Sequence, residues 1–546
     1  MKIAVAQINP VVGDLAGNRR KILSFMEQAA RAGAELVVFP ELALLGYSPR
    51  DAFHRRGFLA AAQREFDRVV EASRNIGVII GHISSAGKRE ANRADPSATS
   101  FGGDVLLYNA VYLLSGGDIL GYQTKHRLPS FDVFEEERYF TPGREVTVLE
   151  WNGLRLGLSV CEDFWYQGSG VLAQQGRAGV DLLINVSASP YFHGKPALRH
   201  QLAREWAQLA GAPLVYANLV GGQDELIFDG GSFAIRPDGE FLLAAPRFEE
   251  GVFLLDPGAA PVPSPEEDGP AELAGALVLG IRDYVDKNNL KGALIGVSGG
   301  IDSALVATLA VQALGRERVI AAFLPGPHTS AESALEARQL ARNLGIKLFE
   351  ISINRIVEVF SEELAPEFPV EGLVVENLQA RVRGNVLMAI SNATGHVVLC
   401  PGNKSEIAMG YNTLYGDTVG ALAPIGDLLK RDVYELARYL NRTAGREIIP
   451  EGTLTRPPSA ELRPNQRDDQ DLPPYQVLDP LLDELVVHNA PWEELVSRYG
   501  EQLAGEVVRR LRRSEYKRRQ LPPVLKVSPK AFGMGRRWPI TNRFSR

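Results

Sequence analysis

A chain of 546 residues is too long for one ordinary hydrophobic core, so two to four domains are expected. Its 45% hydrophobic and 23% charged residues are those of a soluble globular protein. A formal net charge of −7 argues against a general binder of nucleic acid or membrane surfaces. The two cysteines, Cys161 and Cys400, exclude a disulfide framework. No apolar run approaches the roughly 20 residues of a membrane span, and MKIAVAQINP reads as a strand, not a signal peptide. A cytoplasmic enzyme is the expectation.

The first half carries many short apolar runs in chain order: KIAVAQI, ELVVFPE, IGVIIGHIS, DVLLYNAVYLLS, LRLGLSVCED, DLLINVSAS, PLVYANLV, GSFAIRP and EFLLAAP. Helical spacing appears at 18–32 and 197–210. Strands with helices between them predict an α/β layered sandwich, and runs such as LLINV are apolar on both faces, as doubly covered strands are. DPGAAPVPSPEEDGP, from Asp256 to Pro270, breaks both periodicities. The domains are therefore expected at 1–256 and 271–546, joined by a linker over 257–270.

The second half alternates more regularly. Strands are predicted at 293–297, 319–324 and 347–353, helices at 303–314 and 331–344, further helical segments up to Asn392, and a last strand in HVVLC. That order predicts a doubly wound parallel sheet with its ligand at the carboxyl ends of the strands.

SGGIDS lies where the first of these strands meets its helix. A glycine-rich turn at a helix N-terminus suits phosphate, because backbone N–H groups face the anion. The lysine of a Walker A loop is missing, and Asp302 stands in the loop. One reading is a capped turn, since Asp302 and Ser303 are good capping residues. The other is a pyrophosphate cradle, with Gly299 and Gly300 admitting close approach, Ser298 and Ser303 supplying hydroxyls, and Mg²⁺ between Asp302 and phosphate.

SGGIDS resembles the loop of the N-type ATP pyrophosphatases, which release pyrophosphate while adenylating a substrate. The resemblance implies ATP contacts along Gly296, Val297, Ser298, Gly299, Gly300, Ile301, Asp302 and Ser303. PGNKSEIAMGYNTLYGD and ENLQARVRGN are similar to segments of NAD synthetases, a resemblance covering most of 271–546. It implies that Glu406 is a second Mg²⁺ ligand with Asp302, that Lys430 binds ATP, and that Asn377 and Lys517 contact deamido-NAD. At Pro401 relatives often carry a threonine that touches ATP; proline offers neither hydroxyl nor N–H.

In the first half Glu41, Lys125 and Cys161 each follow an apolar run. A lone buried cysteine is usually a small hydrophobe, the reading adopted for Cys400. Glu162 and Asp163 would raise the Cys161 thiol pKa if they point at it. The contexts of the three residues resemble the nitrilase, or carbon–nitrogen hydrolase, superfamily, whose fold is an α-β-β-α sandwich with a Glu-Lys-Cys triad. The resemblance makes Glu41 the general base, Cys161 the nucleophile and Lys125 the oxyanion donor. Ser189 and Lys195 would hold glutamine, and Phe131 stands where relatives often have tyrosine.

As a whole the chain resembles the glutamine-dependent NAD synthetases. That implies Mg²⁺, small-molecule substrates, homo-oligomers and an enclosed passage for ammonia. Two rivals remain: an amidotransferase acting on another acid, and a nucleotide- or RNA-binding scaffold with dead domains. The segment from Ser459 to Tyr475 is either a surface loop or a lid over ATP. The basic run from Val508 to Gln520 is either a nucleic-acid contact or a solvated helix with Lys517 reaching a dinucleotide phosphate.

Overall fold

A computed structural model describes residues 2–87, 105–166, 170–265 and 269–544. The chain forms two compact units, one of Met1–Gln223 with Ile227–Glu267, the other of Asp224–Leu226 with Asp268–Arg546.

The first unit is built on two six-stranded sheets. One has the order β14-β1-β2-β3-β4-β5, from β1 (Ile3–Gln7), β2 (Leu36–Val38), β3 (Gly77–Gly87), β4 (Val105–Ser115), β5 (Asp118–Thr124) and β14 (Gly251–Leu255). The other has the order β13-β12-β9-β8-β7-β6, from β6 (Val148–Trp151), β7 (Leu154–Val160), β8 (Leu182–Ser187), β9 (Leu214–Asn218), β12 (Phe233–Ile235) and β13 (Phe241–Ala244). β10 (Val220–Gln223) and β11 (Leu226–Asp229) pair separately. In each large sheet three central strands are parallel: β1, β2 and β3 in one, β7, β8 and β9 in the other.

Side chains of both sheets share one core. Ile3, Val5, Val38, Ile79 and Val111 from one meet Leu158, Val160, Ile184, Val186 and Val215 from the other. The outer face of the second sheet buries Leu183, Tyr216 and Phe233 against Trp206, Ala203 and Ala207 of the helix Lys195–Ala210. Strands covered on both faces therefore need no polar alternation, which is why β8 is buried at every position. The architecture is the α-β-β-α sandwich.

The second unit holds a parallel sheet in the order β17-β16-β15-β18, from β15 (Ala293–Gly296), β16 (Val319–Phe323), β17 (Lys347–Glu350) and β18 (Val397–Leu399). β15 is flanked by β16 on one side and β18 on the other, so the chain reverses its winding there and opens a crevice at the strand ends. The helices expected at 303–314 and 331–344 run over Ile301–Leu314 and Ala331–Leu344. The first starts two residues earlier than expected because Gly300, in extended conformation, occupies the N-cap, which puts Asp302 in the first turn. Helix Gly269–Lys287 likewise begins inside the stretch expected as linker, and Val262 of that stretch bridges to Phe241.

Candidate active sites

The first unit gathers its chemistry where β7 ends. Cys161 follows the strand directly, with φ 41°, and opens a short turn, Cys161–Phe164. A non-glycine residue in that region is strained by on the order of 1–3 kcal/mol, and it persists when its surroundings enforce it. Two bonds do so. Trp206 Nε1 donates to Phe164 O at 2.7 Å, and Asp163 accepts the N–H groups of His126 at 3.1 Å and Arg127 at 2.9 Å. Because His126 and Arg127 directly follow Lys125, Asp163 also ties the cysteine turn to the lysine.

Lys125 is fully buried and donates to Glu41 Oε1 and Glu136 Oε1, each at 2.8 Å. Glu41 further accepts from Asn109 Nδ2 at 2.7 Å and the Ala188 N–H at 2.8 Å, so both carboxylate oxygens are fixed. Its backbone lies so close to β3 that a Cβ on Gly81 would sit 2.4 Å from Glu41 Cα. Burial, then Glu41, push the Cys161 thiol pKa well up, with Lys125 opposing and Glu162 adding to the rise. The thiol therefore rests protonated beside a fixed carboxylate and a fixed ammonium. Glu41, Lys125 and Cys161 are thus brought together.

Glu136 carries no functional mark in the sequence. It sits within EEER, which reads as a solvated charge run, yet it is 4% exposed and accepts the Tyr47 hydroxyl at 2.7 Å as well as Lys125. Burial pushes its pKa up to about 7 against the pull of Lys125. No local pattern announces this; the signal is only its proximity to Lys125 in three dimensions.

Of the residues expected at glutamine, Ser189 is fully buried, and Arg199 Nη2 donates to its carbonyl at 3.0 Å. Arg199 is itself clamped to Asp229 at 2.7 and 2.8 Å. Lys195 Nζ donates to Pro190 O at 2.8 Å and lies 5.4 Å from the Trp165 ring. Phe131 is 53% exposed, its ring edge-on to Phe134, which in turn meets Tyr47 edge-on.

In the second unit a cavity of about 630 Å³ opens at the ends of β15, β16 and β18. Gly296, Val297, Ser298, Gly300, Ile301, Asp302, Ser303, Pro401, Glu406 and Lys430 line it. Gly299 stands behind the lining at φ 82°, where a Cβ would meet Ser333 O at 2.5 Å. Glycine is therefore required for the loop to lie against the helix Ala331–Leu344. The loop braces itself: Ser303 Oγ accepts the Ser298 N–H at 3.2 Å and donates to Gly300 O at 3.1 Å.

Lys430 Nζ donates to Asp302 Oδ2 at 2.6 Å and to Glu406 Oε1 at 3.1 Å. Asn403 joins them: its Nδ2 donates to Asp302 Oδ1 at 2.9 Å, and its Oδ1 caps the helix Lys404–Met409 at the Glu406 N–H, 3.0 Å. Burial, with Asp302 nearby, lifts the Glu406 pKa to about 8 although Lys430 pulls it down. Among the described residues no group of three or more His, Cys, Asp or Glu side chains is placed to hold a metal ion. Asp302 and Glu406 meet as a pair at Lys430, and two carboxylates are a donor set Mg²⁺ takes from protein when phosphate and water complete its shell.

The segment from Ser459 to Tyr475 contributes Ser459, Glu461, Arg463 and Asp468 to the cavity wall. Glu461 accepts from Ser330 Oγ at 2.7 Å and Ser333 Oγ at 2.8 Å, fastening the segment across the opening of the sheet. Asn377 and Lys517 do not line the cavity. Asn377 accepts from Thr413 Oγ1 at 2.8 Å, while Lys517 donates to the carbonyls of Gly410 at 2.8 Å and Asn412 at 2.6 Å. Both hold one turn, Gly410–Thr413. Arg518, 5% exposed, donates to Ile407 O and Ala408 O. The basic run is thus partly turned inward, onto the helix that carries Glu406.

These features define a two-part enzyme: an α-β-β-α sandwich with a buried thiol site, and a doubly wound unit with a nucleotide-type loop. A carbon-nitrogen hydrolase family model matches residues 2–256 and an NAD synthase family model residues 273–522. The chain is 38% identical to glutamine-dependent NAD(+) synthetase from Thermotoga maritima, over 100% of its own length and 99% of that protein's. It is 40% identical to the Synechocystis sp. protein of the same name, covering 99% of each. The solved structure of glutamine-dependent NAD+ synthetase from Acinetobacter baumannii, in complex with ADP, superimposes with a TM-score of 0.78 at 35% identity, over 99% of this chain and 98% of that one. The chain belongs to the glutamine-dependent NAD(+) synthetase family.

Proposed function

We propose that this chain amidates deamido-NAD+ to NAD+, with ATP as activator and glutamine as nitrogen source, releasing AMP, pyrophosphate and glutamate. The observation that carries the reading is the presence in one chain of two different lysine–carboxylate sites, one beside a thiol and one beside a nucleotide-type loop.

In the first unit Glu41 takes the thiol proton and Cys161 attacks the glutamine amide carbon. Lys125 faces the oxygen that gains charge, a role worth roughly 3–4 kcal/mol for a single donor. Glu41 returns that proton to the departing nitrogen, which leaves as ammonia, and then takes a proton from water, whose attack on the thioester gives glutamate and the free thiol. Ser189 and Lys195 hold the glutamine, with the exposed Phe131 ring at the mouth.

In the second unit the Ser298–Ser303 loop and the N-terminus of helix Ile301–Leu314 receive the ATP phosphates. The deamido-NAD+ carboxylate displaces pyrophosphate, and ammonia then displaces AMP. Asp302 and Glu406 would hold Mg²⁺ with phosphate oxygens and water; when bound, it offsets the charge of the leaving pyrophosphate. Lys430 neutralises the same carboxylates and reaches the phosphates. Asn377 and Lys517 shape the Gly410–Thr413 turn toward the dinucleotide. The A. baumannii relative was solved in complex with ADP, which supports adenine-nucleotide binding by this chain. Among the described residues no helix is long and apolar enough to cross a membrane. We place the enzyme in the cytoplasm as a homo-oligomer, the assembly state to be read by sedimentation.

The test is product formation from deamido-NAD+ and ATP with glutamine or ammonium as donor. NAD+ from both donors is the expected result; turnover of a different acid in place of deamido-NAD+ would refute the substrate.

A further inference from the structure

Glu406 and Lys430 lie on different helices, Lys404–Met409 and Lys430–Ala444, and something must fix their spacing. The second helix begins after Leu429, whose side chain accepts no hydrogen bond, so its first N–H groups need partners from elsewhere. Ser405 Oγ accepts the Lys430 N–H at 3.0 Å, and Asp479 Oδ2 accepts the Arg431 N–H at 2.8 Å. Ser405 Oγ in turn donates to Asp479 Oδ1 at 2.6 Å. Ser405 and Asp479 are both fully buried, where an unmade hydrogen bond is costly.

The cap of the helix bearing Lys430 is thus supplied by the residue next to Glu406. Asp479 belongs to the helix Tyr475–Leu482, whose first residue links it to the cavity wall. The Tyr475 ring lies 5.4 Å from Lys430 Nζ, and its hydroxyl donates to Asp468 at 3.0 Å. One carboxylate therefore joins three elements around the two charged groups.

We infer that Asp479, acting through Ser405, is a positioning residue that sets the spacing of Glu406 and Lys430 at which ATP is held together with Mg²⁺. The inference rests on reading this cavity as the ATP site. It assigns Asp479 no contact with substrate. Its effect falls on the metal-dependent part of binding, because the displaced groups are the carboxylate that would hold the metal and the lysine that neutralises it.

The experiment is calorimetric titration of the full-length protein with ATP, with and without Mg²⁺, for the wild type, Ser405→Ala, Asp479→Asn and the double variant. Each single change is expected to weaken ATP binding about tenfold with Mg²⁺ and less than about twofold without it, and the double variant to be no weaker than the worse single one. Melting temperatures check folding, and if Asp479→Asn does not fold, Ser405→Ala decides alone. Wild-type affinity in the variants, equal losses with and without Mg²⁺, or additive losses would each overturn the inference. Failure of the wild type to bind ATP with Mg²⁺ would instead remove the reading of the cavity, and the inference with it.

Discussion

Lys125 in the first unit and Lys430 in the second are both buried, and each ammonium is shared by two carboxylates. Their surroundings differ. Glu41 and Glu136 are 0% and 4% exposed, and Lys125 holds both at 2.8 Å. Asp302 and Glu406 are each 18% exposed, border a cavity, and lie at unequal distances of 2.6 and 3.1 Å from Lys430. The first arrangement is closed and keeps one proton inventory for one thiol. The second can exchange partners, because a cation and phosphate oxygens can take over charges that Lys430 neutralises alone. Under the proposed function, the same charge pattern serves covalent catalysis where it is sealed and nucleotide binding where it is open.

The sharpest way to break this comparison is to disable each site in turn. Cys161→Ala should abolish glutamine-driven NAD+ formation, by roughly 10³-fold or more, and leave ammonium-driven formation largely intact. Asp302→Asn or Glu406→Gln should cripple synthesis from either donor. Loss of both activities in folded Cys161→Ala protein would refute the division of labour, and ammonium-driven turnover surviving both acid changes would refute the second site.

The next effect is on stability. Asp229→Asn leaves Arg199 buried at 2% exposure without its carboxylate partner. Breaking one side of a buried pair costs about 3–5 kcal/mol, so denaturant unfolding of the first unit should shift by that order. KM for glutamine should rise as well, because Arg199 also holds Ser189. In the second unit Gly299→Ala should cost about 1–3 kcal/mol and raise KM for ATP, since the new Cβ would sit 2.5 Å from Ser333 O at a positive φ. An alanine variant with unchanged ATP dependence would show that the loop need not lie against that helix.

What the sequence made legible follows the same division. SGGIDS is one contiguous segment whose glycines, hydroxyls and carboxylate all act within a few residues, so its chemistry reads along the chain. Glu41, Lys125 and Cys161 are far apart, but each ends an apolar run and so marks a strand end, which is where layered folds bring residues together. Glu136, Tyr47 and Asn109 carry no such mark. Glu136 lies in a short turn among other acids, and only the closing of the sheets turns it onto Lys125. Ser405 and Asp479 are similarly silent, because the unpaired N–H groups they satisfy arise only once the helix Lys430–Ala444 has formed beside them. The wall segment from Ser459 to Tyr475 could be read two ways for the same reason: its partners, Ser330 and Ser333, lie more than a hundred residues upstream.

The smallest expected effect separates the two units by the sign of a titration. Asp427 in the second unit is buried, yet Lys404 and Lys526 hold its pKa below the ordinary carboxylate range. Glu162 in the first unit, 7% exposed, goes the other way: burial lifts its pKa to about 7, and Lys125 and Lys195 only partly oppose this. In the unfolded chain a glutamate titrates near pH 4.3, so between that value and about 7 the folded state binds more protons than the unfolded one. The contribution of Glu162 to stability therefore falls as pH rises through this window and is flat above it. Glu162→Gln removes the titration without changing the shape. Relative to wild type, the variant should gain on the order of 1–2 kcal/mol between pH 6 and pH 8, read from denaturant unfolding at each pH. A wild type that instead gained on the variant with rising pH would mean that Glu162 is held ionised by Lys125 and Lys195, as Asp427 is by its two lysines.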